Sequence, residues 1–227
     1  MTDSENGPEG HESPVAGGPE AYFDKAAATW DDNARRVAMA SVIANGIRDE
    51  IPLRPDMRIL DFGCGTGLVT RQLAPHVAFV TAADTSSEML RVLAEKAQAA
   101  GLKGVKTLLL ETGYPLPTGA SFDVIVSSMV FHHVEDIGLL LERFASWLRP
   151  DGWVAIADLE PEDGSFHSDN PHVVHHGIDP STIRAQLERL GFAVKRVHTV
   201  HTIQREVEGT SAMRKYPIFL LTARKGR

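Results

Sequence analysis

Two features of the chain could do chemistry: a glycine-rich bend and an uneven set of histidines. Residues 59–70 read ILDFGCGTGLVT, an apolar run carrying Asp61 and then glycines at 63, 65 and 67. Glycines there let a backbone turn tightly and approach a ligand with no Cβ in the way. A phosphate-binding loop needs Gly-x-x-x-x-Gly-Lys-Ser/Thr, but Leu68 follows Gly67 and the next lysine is Lys96. A dinucleotide loop needs Gly-x-Gly-x-x-Gly; Gly63 and Gly65 fit, yet the third place is Leu68. Asp61 stands two residues before Gly63, where a carboxylate repels a pyrophosphate and suits a ligand with positive charge.

Of the ten histidines, six fall in two patches, His132 with His133 and His167 with His172, His175 and His176. Imidazole titrates near neutrality and serves as base, hydrogen-bond donor or metal ligand. As a base or polar clamp, His132 or His133 would work with His167, His176 or their neighbours. A metal reading has enough ligands in His167, Asp169, His172, His175, His176 and Asp179. No HExxH pair is present, however, and the site is read without a metal. In the blandest reading VFHHVED is only a strand-to-helix elbow in which a histidine packs or caps.

The elements that must position these residues alternate. Apolar runs MRILDF, FVTAAD, VKTLLLE, FDVIVSS and WVAIADLE predict five strands. Between them GLVTRQLAPHV, SSEMLRVLAEKAQAAG and IGLLLERFASWLRPDG have helical spacing, with Ser86 or Ser87 as a cap and Gly101 as a stop. DPSTIRAQLERLGF predicts a further helix with Pro180 just inside its start. AVKRVHTVHTI and YPIFLLTARK predict two closing strands, joined by residues 205–215. Lacking a helix between them, they should pair antiparallel. The fold class is therefore α/β: a doubly wound, mostly parallel seven-stranded Rossmann-like sheet with an antiparallel last strand and helices on both faces. Ligands of such sheets sit beyond the carboxyl ends of the strands, which places the bend and both histidine patches on one rim. Residues 1–19, rich in Gly, Pro, Ser and Glu, predict a disordered tail. One domain would occupy 20–227, with a helical cap over 20–54 that breaks near 31–33, a core over 55–160, and a loop, helix and closing strand pair over 161–227.

LDFGCGTG resembles motif I of the class I S-adenosylmethionine-dependent methyltransferases, whose cofactor carries an ammonium and a sulfonium and no phosphate. AADTSSEML resembles the family's second-strand end, LLETGYPLPTGASFDVIVSSMVFHHVED its third-to-fourth-strand region, and LLERFASWLRPDGWVAIADLE its fifth helix–strand unit. The resemblance implies that Asp84 holds both ribose hydroxyls; a strand-end carboxylate can accept two hydrogen bonds from a diol. It implies that Asp61, Gly63, Cys64, Gly65 and Gly67 shape the cofactor's bend, with Thr85 and Met89 beside Asp84. Glu111 and Thr112 stand where the family reads adenine, with Glu–Thr in place of the more usual Asp–Ala. Ser127, Ser128 and Met129 end the fourth strand beside the methyl donor. It also implies that the leading helix closes over the pocket, with Tyr22, Phe23 and Trp30 as shields.

A methyltransferase of this kind needs orientation, exclusion of water and a base where the acceptor is protonated. The chain lacks the Asn/Asp-Pro-Pro-Tyr/Phe elbow of amino-group methylators, since SMVF occupies 128–131. That favours an oxygen, carbon or sulfur acceptor over nitrogen. The chain has 227 residues, a net charge of -7 and one cysteine, Cys64. The acidic balance disfavours a sequence-independent grip on nucleic acid, and one thiol excludes an intrachain disulfide. No apolar segment approaches the ~20 residues that span a bilayer, and no signal peptide is read at the start. The expectation is a cytoplasmic enzyme of small-molecule metabolism, monomer or homodimer, with no nucleic-acid or membrane partner. The alternatives are a non-catalytic cofactor-binding partner or sensor and, less well supported by the glycine spacing, an NAD-dependent enzyme.

Overall fold

The computed structural model describes residues 18–111, 114–116, 119–166, 172–206 and 213–227. Strands β1 (Arg58–Phe62), β4 (Phe122–Ser128) and the latter half of β5 (Leu148–Leu159) are buried along nearly their whole length, and β2 (Phe79–Asp84) over half of it. Runs that are apolar on both faces need cover on both faces, which is why they form the centre of a parallel sheet. The order is β3 (Val105–Leu109), β2, β1, β4, β5, β7 (Met213–Lys225), β6 (Phe192–Glu206). β1 pairs parallel with β2 and β4, and β7 lies antiparallel between β5 and β6.

Capping chemistry sets the helix starts. Asn33 accepts from the amides of Arg35 and Arg36 to open α2 (Ala34–Glu50), following α1 (Pro19–Ala26) and a 3-10 turn over Ala27–Asp32. Ser86 caps α4 (Ser87–Ala99), Asp136 caps α5 (Ile137–Trp147), and Asp179 caps α6 (Pro180–Arg189). The run after the glycines yields only the short α3 (Thr70–Leu73) and a 3-10 turn. Proline at 75 removes the amide a longer helix would need.

Two elements depart from expectation. β5 begins at Leu148, before Pro150, rather than after Gly152, with Asp151 at φ 63 turning the irregular stretch against β4. The closing strands are longer than their apolar runs: β5 stops pairing at Leu159 opposite Ile218, while β6 and β7 continue to Glu206 opposite Met213. The extra pairs carry polar residues such as Gln204, Arg205 and Lys215, which is why hydrophobic pattern did not reach them. This tongue overhangs the rim where the glycine bend lies. Two apolar clusters fill the faces of the sheet, one under α5 and α6 around Phe131, Phe144 and Phe219, the other under α2 around Ile43, Ile59 and Leu220.

Candidate active site

A cleft of about 940 Å³ opens at the carboxyl ends of the parallel strands. Its floor is the bend after β1. Gly63, Gly65 and Gly67 have φ of 72°, 52° and 80°, a region that side-chain-bearing residues rarely adopt. A Cβ on Gly63 would lie 2.3 Å from Val130, and one on Gly67 2.1 Å from Leu93, so both positions also demand close packing. Gly65 differs: a Cβ there would meet no protein atom within 4 Å, because the bend faces the open cleft.

Two carboxylates brace this floor. Asp84, at the end of β2, accepts from the Gly65 amide (2.7 Å) on one oxygen and the Ser86 amide (2.9 Å) on the other. Burial raises its pKa against these hydrogen bonds. Asp61 is buried and accepts from the Thr70 hydroxyl at 2.5 Å. Burial, with the nearby charge of Asp84, pushes Asp61 up to about 6. Cys64 lines the cleft beside them, its thiol pushed up by burial and by both carboxylates.

The other expected contacts divide. Thr85, Met89, Ser128 and Met129 line the cleft, Met129 in a left-handed turn at φ 60. Gly67 and Ser127 support it from outside: Gly67 packs on Leu93, and the Ser127 hydroxyl donates to the Phe62 carbonyl at 3.1 Å. Glu111 is exposed and off the lining, where Leu110 and Tyr114 stand instead; Thr112 lies outside the described residues.

The histidine patches do meet. His132 Nδ1 lies 2.6 Å from Asp158, and both side chains are almost wholly buried. Asp158 also accepts from the amides of Val130, Phe131 and Leu159. Burial would raise this carboxyl, but the facing His132 and those donors hold it below its ordinary range. An ionised carboxylate only accepts, so the His132 Nδ1 that faces Asp158 carries a proton. His133 Nδ1 donates to the His172 carbonyl at 3.0 Å, and burial lowers its pKa to about 4. His132, His133 and His172 line the cleft, while His175 bonds to the Val134 carbonyl. His176 is exposed, beside Glu162 and off the lining, and His167 lies outside the described residues. Among the described residues no group of three or more His, Cys, Asp or Glu is placed to hold a metal ion.

Sequence reasoning missed Asp158, Thr70 and the two aspartates that fasten the cap. Asp24 accepts from the Ser86 hydroxyl (2.6 Å) and the Glu88 amide (3.1 Å). Asp31 takes Thr66, Arg71 and Lys96. Tyr22, Phe23 and Trp30 thereby line the cleft from above, Phe23 edge-on to His133 at 5.4 Å between centroids. Asp158 had a readable signal, a carboxylate ending an otherwise apolar strand; the others are partners across 9 to 65 positions and have none.

Residues 60–156 match the family model described as "Methyltransferase domain". The chain is 31% identical over 136 residues to "Uncharacterized methyltransferase C1347.09" of Schizosaccharomyces pombe, covering 53% of this chain and 48% of that one. It is 32% identical over 142 residues to "Nocamycin O-methyltransferase" of Saccharothrix syringae, covering 61% and 50%. The chain thus spans about half the length of these curated relatives. Among solved structures it resembles a SAM-dependent methyltransferase from Aquifex aeolicus, with a TM-score of 0.60, 26% identity and coverage of 80% and 88%. Among the described residues no helix is long and apolar enough to cross a membrane.

Proposed function

We propose that the chain is a class I S-adenosylmethionine-dependent methyltransferase, a reading supported by the match over residues 60–156 and by the likeness to solved methyltransferases, and that it methylates a small-molecule acceptor. The observation that carries this reading is the open face of Gly65 against a bend braced by two carboxylates. That cradle fits a cationic nucleoside. Among its described lining residues there is no lysine, and Asp61 and Asp84 would repel a pyrophosphate. Asp84 would take the ribose diol on the lone pairs its amide donors leave open. Asp61 would attract the ammonium, while Met89 and Leu110 flank the base.

When bound, S-adenosylmethionine supplies a methyl group on a sulfonium, ready for in-line displacement. The chain's part is to align, dry and deprotonate. The cap, fastened by Asp24 and Asp31, excludes water with Phe23 and Trp30. His132 Nε2 takes a proton from the acceptor, and Asp158 stabilises the imidazolium that results, as a buried carboxylate does for a paired histidine. His133, held neutral by burial, offers a polar wall instead. Oxygen, carbon or sulfur acceptors suit this arrangement better than nitrogen, because SMVF at 128–131 offers no amide side chain or proline elbow for an amine. A cytoplasmic role in small-molecule metabolism fits this reading.

Incubation with methyl-labelled S-adenosylmethionine and a metabolite extract tests it. Label should enter the low-mass fraction and be lost with Asp84→Ala. Label found only in protein or nucleic acid would contradict the small-molecule reading; binding of the cofactor with no transfer to any fraction would favour a sensor.

A further inference from the structure

The cleft is larger than a nucleoside needs, and its far wall has the opposite charge from its floor. That wall is built where α2 meets the projecting β6–β7 tongue. Met39 and Ala40 from α2 and Phe166 and Ile203 from the tongue side belong to one apolar cluster and all line the cleft. Arg205 borders this patch through Phe166, and Arg36 lines the same cleft beside Trp30. The Arg205 guanidinium lies 4.0 Å from the centroid of Phe166 and donates to the Phe166 carbonyl at 2.5 Å. The Arg36 guanidinium lies 3.8 Å from the centroid of Trp30 and reaches the Trp30 carbonyl at 3.5 Å.

Each arginine therefore lies over an aromatic ring and reaches that residue's carbonyl, which restrains its guanidinium before any ligand arrives. Among the described residues no carboxylate pairs with Arg205. The tongue holding it is itself anchored: Tyr216 shares a hydrogen bond of 2.7 Å with Ser165, and Arg214 pairs with Asp163 at 2.6 Å. In a chain of net charge -7, arginines lining the cleft are a local inversion of sign.

Resting on the methyltransferase reading, we propose that the acceptor is an organic carboxylate with a flat or alicyclic apolar body. The body packs on Met39, Phe166 and Ile203, and its carboxylate is held by Arg205 and Arg36. Its nucleophilic atom then points back toward Met129 and the His132–His133 elbow. The anchored carboxylate is not the atom methylated; it sets which end of the acceptor faces the floor. Planar two-point recognition of carboxylate is what an arginine fork provides and a lysine does not.

The test is ligand-observed NMR with a panel of aromatic and alicyclic carboxylates, each beside its primary amide, in protein saturated with S-adenosylhomocysteine. Carboxylates should bind at least tenfold more tightly than their amides. Arg205→Gln should weaken them tenfold or more, Arg205→Lys should weaken them less, and Arg36→Gln should act in the same direction. S-adenosylhomocysteine affinity, measured by calorimetry on the Arg205 variants, should stay within threefold of the parent. Amides binding as well as acids, no acid binding below 1 mM (~-4 kcal/mol of affinity), or acids binding undiminished in both glutamine variants would overturn the proposal. If S-adenosylhomocysteine itself fails to bind the parent protein, the cofactor reading falls instead, so the two failures are told apart.

Discussion

Asp61 gives the cleft a pH signature of its own. Its carboxyl is pushed up to about 6, so between pH 4 and 6 the folded protein holds a proton that the unfolded chain has released. The group's contribution to stability is complete below the unfolded value and is lost as pH rises through 6, by up to about 3 kcal/mol. A cationic cofactor reverses the balance, because it favours the ionised form. Asp61→Asn should therefore raise the melting temperature of the cofactor-free protein at pH 7.5, yet weaken S-adenosylhomocysteine binding, and the parent's affinity should climb between pH 5 and 7. A flat affinity over that range would remove Asp61 from the cofactor's neighbourhood. Asp158 has the opposite sign. Its lowered pKa stabilises the fold near neutrality and that support is lost in acid. Asp158→Asn should cost about 3–5 kcal/mol in urea unfolding, since it breaks a buried pair. If His132 is the base, Asp158→Asn should also shift the pH dependence of transfer, which a purely structural pair would leave in place. The floor residues were legible because a backbone that must be bare calls for glycine in sequence. Asp158 and Thr70 were not, because their roles exist only once distant segments meet.

At the scale of elements, boundaries followed chemistry that is local. FVTAAD and FDVIVSS became strands over the same residues that the apolar runs marked, and Asn33, Ser86 and Asp179 cap the helices they precede. Asn33→Ala should cost about 1 kcal/mol, read from thermal unfolding. The long β6–β7 tongue escaped the sequence because polar residues paired beyond the edge of β5 show no burial pattern. The cap was read as a helix pair, but its attachment was not. Asp31 is the firmest link, joining Thr66, Arg71 and Lys96. Asp31→Ala should speed amide hydrogen exchange over residues 19–33 and shorten the cofactor's residence time at least severalfold, while exchange in β1 and β4 stays as before. Unaltered exchange in the cap would mean that Asp24 and the apolar contacts of Phe23 and Trp30 hold it unaided.

The whole molecule places a carboxylate-braced floor, a capped roof and an arginine-flanked wall around one cleft. The parallel sheet was readable from alternation alone. The insertion of β7 between β5 and β6 was not, since nothing in a strand's sequence names its neighbour. Cofactor binding must couple these parts. Saturation at one hundred times the dissociation constant adds about 2.7 kcal/mol, which for a chain of this size is a rise of roughly 5–11 °C in melting temperature. The most direct measurement is calorimetric titration of the protein with S-adenosylhomocysteine and, separately, with NADH. The carboxylate-braced floor requires one molecule of S-adenosylhomocysteine bound per chain, an affinity lowered at least a hundredfold by Asp84→Ala, and no heat from NADH. Saturable binding of NADH, or an Asp84→Ala protein that holds S-adenosylhomocysteine as tightly as the parent, would contradict it.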